Sequence, residues 1–189
     1  MEEMSKLRKA IHAQHEATQE HPLAVLLMSG HIEKKIYADL VFNYLRCYEA
    51  LEEEAEKAGI FEGLEGIKRS KLIEEEFESI TDEFVEEGKE WSSEIVPSTL
   101  EYIEYVENIE DKSKLLAHVY IRYLSLMNGG QLMKNVVPSK GQMYDFNDIE
   151  GLSNKLRSKL TDDLLDESIK AFNQVIQLFV ELAERYDVK

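Results

Sequence analysis

A chain of 189 residues, 43% of them hydrophobic and 32% charged, can bury one sizeable core and has the balance of a folded globular protein rather than a disordered tail. Its 22 lysines and arginines stand against 38 aspartates and glutamates, a net charge of −16 that repels phosphate backbones and argues against nucleic acid as a partner. One cysteine, Cys47, excludes an internal disulfide and points to a reducing, cytoplasmic setting.

The first residues, MEEMSKLRKAIHAQH, are too charged for a secretory signal and too acidic for a mitochondrial transit sequence. Between the three prolines, Pro22, Pro97 and Pro138, apolar residues recur three and four apart, the spacing of helices. The pattern predicts a first helix from about Ser5 to Gln19, stopped near Pro22, then a short one over LAVLLMSG ending at Gly30. Within it LAVLLM, residues 23–28, is the longest purely apolar run, far short of the roughly 20 residues that cross a bilayer, so no membrane anchor is expected. A long helix follows from about Ile32 to Ala58, with Ile36, Leu40, Tyr44, Tyr48, Leu51 and Ala55 along one side and Gly59 as its cap.

Another helix covers IKRSKLIEEEFESI, GKEWSSEIVPS reads as a connection, and Ser98 or Thr99 opens a short helix. DKSKLLAHVYIRYLSLMNGGQLMKNV reads as one long helix closed by Pro138, followed by the loop PSKGQMYDFND. Two last helices fill about Gly151 to Leu160 and Asp163 to Tyr186. With no strand pattern and no internal repeat, residues 1–189 are expected to form a single all-α domain of about eight helices.

Gly129 and Gly130 fall inside that long helix, where each glycine costs about 1 kcal/mol relative to alanine. A close approach by a backbone or flat ligand, a kink, or a helix end capped by glycine would each account for them. Tyr120, Tyr123, Leu124, Met127 and Gly130 occupy an arc of about 120°, which is either a core face with a kink or a face that can lie flat on a ring system.

None of the five histidines, at 12, 15, 21, 31 and 118, has a glutamate three residues before it, and there is no H-E-x-x-H, which argues against di-iron and zinc-hydrolase sites. G-x-S-x-G, P-loop and dinucleotide fingerprints are also missing. His15 shares a face with Leu7 and Ile11, so it is either a packed core residue or a ligand. Arg8 lies about 20° from it around the helix and about 10 Å along the axis. Lys155 and Lys159, four apart, are either surface lysines or a clamp for carboxylates.

HVYIRYLSLMNGGQLMKN resembles the signature of the heme oxygenases, in which Arg-Tyr-Leu is followed by Gly-Asp and then by Ser-Gly-Gly-Gln. LRKAIHAQHEATQ is similar to that family's first-helix motif, and YEALEEE and AFNQVIQLF resemble its second and last helices. The resemblance implies a single-domain helical bundle with heme, both cofactor and substrate, between a proximal first helix and a kinked distal helix. It implies oxidative cleavage to biliverdin with release of carbon monoxide and ferrous iron, using molecular oxygen and electrons from ferredoxin or a flavin reductase. The chain is expected to act as a monomer.

Position by position, the resemblance implies His15 as the iron ligand, and Arg8, Tyr120, Lys155 and Lys159 as partners of the heme propionates. It further implies Gly129 and Gly130 as distal glycines, Tyr48 and Arg122 in a distal hydrogen-bond network, and Phe172 on the pocket wall. The Arg8 to His15 spacing is close to the distance from a heme iron to its edge carboxylates. Ser125 and Leu126 depart from the family's Gly-Asp, Gln19 from a glutamate, and Val175 from an asparagine.

Leu126, about 40° around the helix from Gly130, has no group to anchor a water, so the proton relay is expected from Asn128, Arg122 or Tyr48. A second reading is a heme-binding protein with weak or peroxidase-like activity, and a third is a helical interaction protein without heme. For an acidic electron donor, Lys134, Lys140, Lys155, Arg157 and Lys159 form one candidate docking face and Lys68, Arg69 and Lys71 another.

Overall fold

Among the described residues of the computed structural model, 6–89 and 92–189, nine α-helices and three 3₁₀ turns build the fold; the side chains of residues 6–8, 10, 13 and 17 lie outside this description. Helices α1 (Lys6–Gln19) and α2 (Pro22–Met28) lead into the long α3 (Lys34–Lys57), then α4 (Ser70–Glu86) and α5 (Pro97–Asn108). After these come α6 (Leu115–Asn128), the four-residue α7 (Gly130–Met133), α8 (Ile149–Ser158) and α9 (Leu165–Arg185). The expected start of the first helix at Ser5 lies outside the described residues.

Local chemistry sets these boundaries. His21 caps α2, its Nδ1 accepting the Leu23 N–H at 3.2 Å, and burial lowers the imidazole pKa, which keeps that lone pair available. Gly59 leaves α3 with φ +70°, a left-handed turn that a Cβ would disfavour. Pro97 starts α5 one residue earlier than expected, because proline at the first helical position forfeits no hydrogen bond. Helix α4 runs past Ile80 to Glu86 because Phe84 continues the buried stripe of Ile73, Glu76 and Ile80.

Helix α3 is the central element, packing on α4, α5 and α6 through Tyr37, Leu40, Tyr48 and Leu51. Helix α9 buries Ala171, Leu178 and Leu182 and supports α6 and α1 alike. Those two helices therefore share α9 as a floor, and the gap left between them becomes the cleft described below. No described helix is long and apolar enough to cross a membrane.

Buried carboxylates tie the helices to the loops. Glu52 on α3 accepts from the Arg69 and Ser70 N–H groups and from the Ser70 and Tyr123 hydroxyls, so it caps α4 and anchors α6 together. Glu76, fully buried on α4, accepts from Gly141 N at 3.0 Å, Gln142 N at 2.8 Å, the Tyr37 hydroxyl at 3.2 Å and the Ser139 hydroxyl. Between α6 and α9, His118 Nε2 lies 2.9 Å from Glu167, which also accepts from the Tyr105 hydroxyl. Burial opposes the Glu167 charge, but these two bonds outweigh it and hold the carboxyl at about 2.

Lys68, Arg69 and Lys71 do not form the basic patch expected of them. Arg69 is buried, donating to the Ile67, Gly66 and Asp145 carbonyls, while Lys68 pairs with Glu56 at 2.9 Å and Lys71 lies 4.0 Å from Glu75.

Candidate functional site

A cleft of about 300 Å³ opens between α1 and α6, with Phe172 of α9 at its back. Helix α1 contributes Ile11, His12 and His15, one apolar group and two imidazoles spaced so that all three meet the same gap. His15 is exposed. His12, 60% exposed, lies 3.7 Å from Glu16, a partner when the ring is protonated. His12 is a site residue whose one signal in the sequence is its spacing, three residues before His15 and so nearly one turn away on the same helix. Arg8 belongs to α1 two turns before His15, but its side chain lies outside the described residues.

The opposite wall is built by Tyr120, Leu124 and Asn128 along one ridge of α6 and by Ile121, Ser125 and Gly129 along the next. This face is rotated about 100° from the expected arc. Tyr123, Met127 and Gly130 belong to the core instead. The Tyr123 hydroxyl donates to Glu52, the Met127 sulfur accepts from Ser153 at 3.8 Å, and a Cβ on Gly130 would stand 2.4 Å from Tyr144 Cδ1.

The two glycines thus have different reasons to lack a side chain. Gly130 makes room for the Tyr144 ring, a close approach that the Gln131 amide reinforces by donating to the Tyr144 carbonyl at 2.9 Å. Gly129 ends α6 with helical dihedrals, and a Cβ there would meet only the Ser125 carbonyl, at 3.2 Å, so its empty side faces the cleft. Gly130→Ala is accordingly expected to destabilise by about 1–3 kcal/mol through overpacking. Gly129→Ala should change stability little, since it gains helix propensity at helical φ and ψ. Thermal melts followed by circular dichroism would reverse this assignment if Gly129→Ala proved the more damaging.

Three further expectations require correction. Leu126 is buried on the far side of α6 from the cleft, about 150° from the centre of the cleft-facing arc, not at its edge. Arg122 and Tyr48 also turn away, because Arg122 stacks 3.8 Å over the Tyr102 ring while the Tyr48 hydroxyl donates to the Arg122 carbonyl at 2.9 Å. Burial raises the Tyr48 pKa far above its usual range, so the hydroxyl keeps the proton that it donates to the Arg122 carbonyl. Of the three relay candidates, Asn128 alone lines the cleft.

Lys155 and Lys159 are exposed at the C-terminal end of α8, which packs on α6, and neither is among the residues lining the cleft. Tyr120 and Phe172 do line it. Another depression, of about 400 Å³ between α5 and α9, is lined by polar groups such as Glu101, Asp166, Lys170 and Asn173 and offers no imidazole. The α1–α6 cleft, with ligand-type nitrogens on one wall and an apolar, glycine-bearing wall opposite, is the candidate site.

The family model for heme oxygenase matches residues 2–181. The chain belongs to the heme oxygenase family. Heme oxygenase of Rhodella violacea is 27% identical to it, over 96% of this chain and 87% of its own length. Heme oxygenase 1 of a Nostoc species is 28% identical over 94% and 84% respectively. Among solved structures, heme oxygenase-1 of a Synechocystis species in complex with heme aligns with a TM-score of 0.77 at 23% identity, covering 95% of this chain and 91% of that one. Heme oxygenase-2 of Synechocystis, in complex with heme and NO, reaches 0.81 at 19% identity, covering 95% and 84%. The fold is the all-helical single domain of heme oxygenase structures.

Proposed function

We propose that this family member is an active heme oxygenase, taking heme into the α1–α6 cleft and converting it to biliverdin, carbon monoxide and ferrous iron. Molecular oxygen and electrons from ferredoxin or a flavin reductase complete the reaction. The observation that carries this reading is the cleft itself: an exposed imidazole on α1 faces, across apolar walls, the one stretch of α6 that lacks a side chain. Bound there, heme supplies both the redox chemistry and the carbon skeleton that is opened.

The donor set fits such a group. A proximal imidazole is a common protein ligand of heme iron, and His15 offers one without first breaking a hydrogen bond to another described residue. Ile11, Leu124, Ile121 and Phe172 cover apolar ring surface and exclude water, while Gly129 leaves the distal side open. Tyr120 lines the cleft, and the resemblance assigns it to the propionate edge. Arg8, Lys155 and Lys159 are assigned to that edge by resemblance; the two lysines stand at the C-terminal end of α8. Lys134 is engaged by Asp145, so an acidic electron donor would rely mainly on Lys140, Lys155, Arg157 and Lys159.

One observation favours the second reading, heme binding with weak or peroxidase-like activity: no described carboxylate lines the cleft to hold a proton-donating water. Aerobic turnover of the hemin complex with ferredoxin and its reductase, with chromatographic identification of the pigment, separates the two. Biliverdin is expected. Loss of the heme absorbance without any bilin product would replace the first reading by the second.

A further inference from the structure

Two polar side chains interrupt the distal wall, Ser125 and Asn128, three residues apart and therefore adjacent on α6. Ser125 donates its proton to the Ile121 carbonyl at 2.8 Å, one turn back. With that proton committed, the hydroxyl presents only acceptor lone pairs elsewhere. Asn128 is exposed and carries both an acceptor oxygen and two donor hydrogens. Gly129, next in the chain, adds no side chain to the adjoining space, where a Cβ would meet only the Ser125 carbonyl.

We propose that Ser125 and Asn128 together hold a water molecule in the cleft and so supply the distal hydrogen bond that Leu126 cannot. The Ser125 oxygen accepts one water hydrogen, the Asn128 side chain fixes the molecule's orientation, and the remaining hydrogen points at whatever occupies the open distal position. This rests on the heme reading above. It moves the relay from Arg122 and Tyr48, which the fold turns into the core, to the only two cleft-lining side chains of α6, apart from Tyr120, that carry polar atoms. Ser125 acts as a positioning residue, since it works through the water.

Azide binding to the ferric hemin complex is a probe of this site that does not depend on turnover. An anion at the distal position gains from a water hydrogen aimed at it, so Ser125→Ala should weaken azide about fivefold, the worth of one modest hydrogen bond. Ser125→Thr, which keeps the hydroxyl and the bond one turn back, should retain azide affinity near that of the unaltered chain. The carbon monoxide stretching frequency of the reduced complex should shift in Ser125→Ala and Asn128→Leu and remain in place in Ser125→Thr. Both positions are exposed, so helix content should be unchanged in all three variants. Normal hemin binding with azide affinity and frequency indifferent to Ser125 overturns this proposal alone. Failure of the unaltered chain to bind hemin overturns it together with the heme reading.

Discussion

Replacing His15 with alanine is expected to abolish the imidazole-ligated absorption spectrum of the hemin complex while leaving helix content unchanged. The side chain is exposed at the cleft, so its loss leaves no buried cavity and costs little stability. The effect on binding should be large. Groups that merely orient a metal ligand are each worth about 10–100-fold in affinity, and loss of the ligand itself should exceed that. His12→Ala is the necessary partner experiment, because the two imidazoles line the same cleft. His12 faces the competing attraction of Glu16 at 3.7 Å, whereas His15, one turn after Ile11 and lining the cleft with Phe172, has no ion-pair partner among the described side chains. Hemin titration followed by absorbance should show His12→Ala near the unaltered affinity. If instead His12→Ala lost the imidazole spectrum and His15→Ala kept it, the ligand assignment would pass to His12.

The largest expected loss of stability comes from a residue far from the cleft. Glu76→Ala removes the acceptor of two backbone N–H groups, Gly141 and Gln142, and of the Tyr37 and Ser139 hydroxyls. Each buried donor left without a partner costs about 1–3 kcal/mol, so a total near 4 kcal/mol is expected after water enters the gap. That is a large share of the roughly 5–15 kcal/mol that holds an average domain together. With a urea dependence of about 2 kcal/mol per molar, the unfolding midpoint should fall by about 2 M. A decrease under about 1 kcal/mol would mean that the loop is held by other contacts.

This change also tests how the fold supports the site. The segment that Glu76 pins carries Tyr144, whose ring fills the place of the missing Gly130 side chain, and that contact fixes the break between α6 and α7 beside the cleft. Hemin affinity of the Glu76 variant, measured in the absence of denaturant, should therefore fall as well. Glu76→Gln keeps one acceptor oxygen and should lose less of both.

How far the site could be read in advance differs from residue to residue. The first-helix histidine was legible because α1 is amphipathic, and Ile11 and His15 mark one face of it four residues apart. Phe172 and Tyr120 were placed by resemblance and do line the cleft. Ser125 was noted as a departure from the family pattern but not as a wall of the cleft. Its position four residues before Gly129, rather than five before Gly130, would have pointed to it had the two glycines been told apart.

The sequence by itself determined most of the helices, because their signals are local: Pro22 between the first two, Gly59 leaving α3 and apolar stripes of period 3.6 along the chain. It left the glycine pair open between a kink, a helix end and a close approach, and the structure ends α6 at Asn128 and begins α7 at Gly130. Only the tertiary structure decided how α6 is turned. Ten of its fourteen residues are buried, including Ala117, Arg122 and Tyr123 on different sides, so the helix has no broad polar face to orient it. A helix buried nearly all round takes its rotation from its neighbours, here α3, α8 and α9. The Tyr144 contact and the Glu52 bond to Tyr123 settle that rotation, and with it send Gly129 and Ser125 to the cleft and Gly130 and Leu126 to the core.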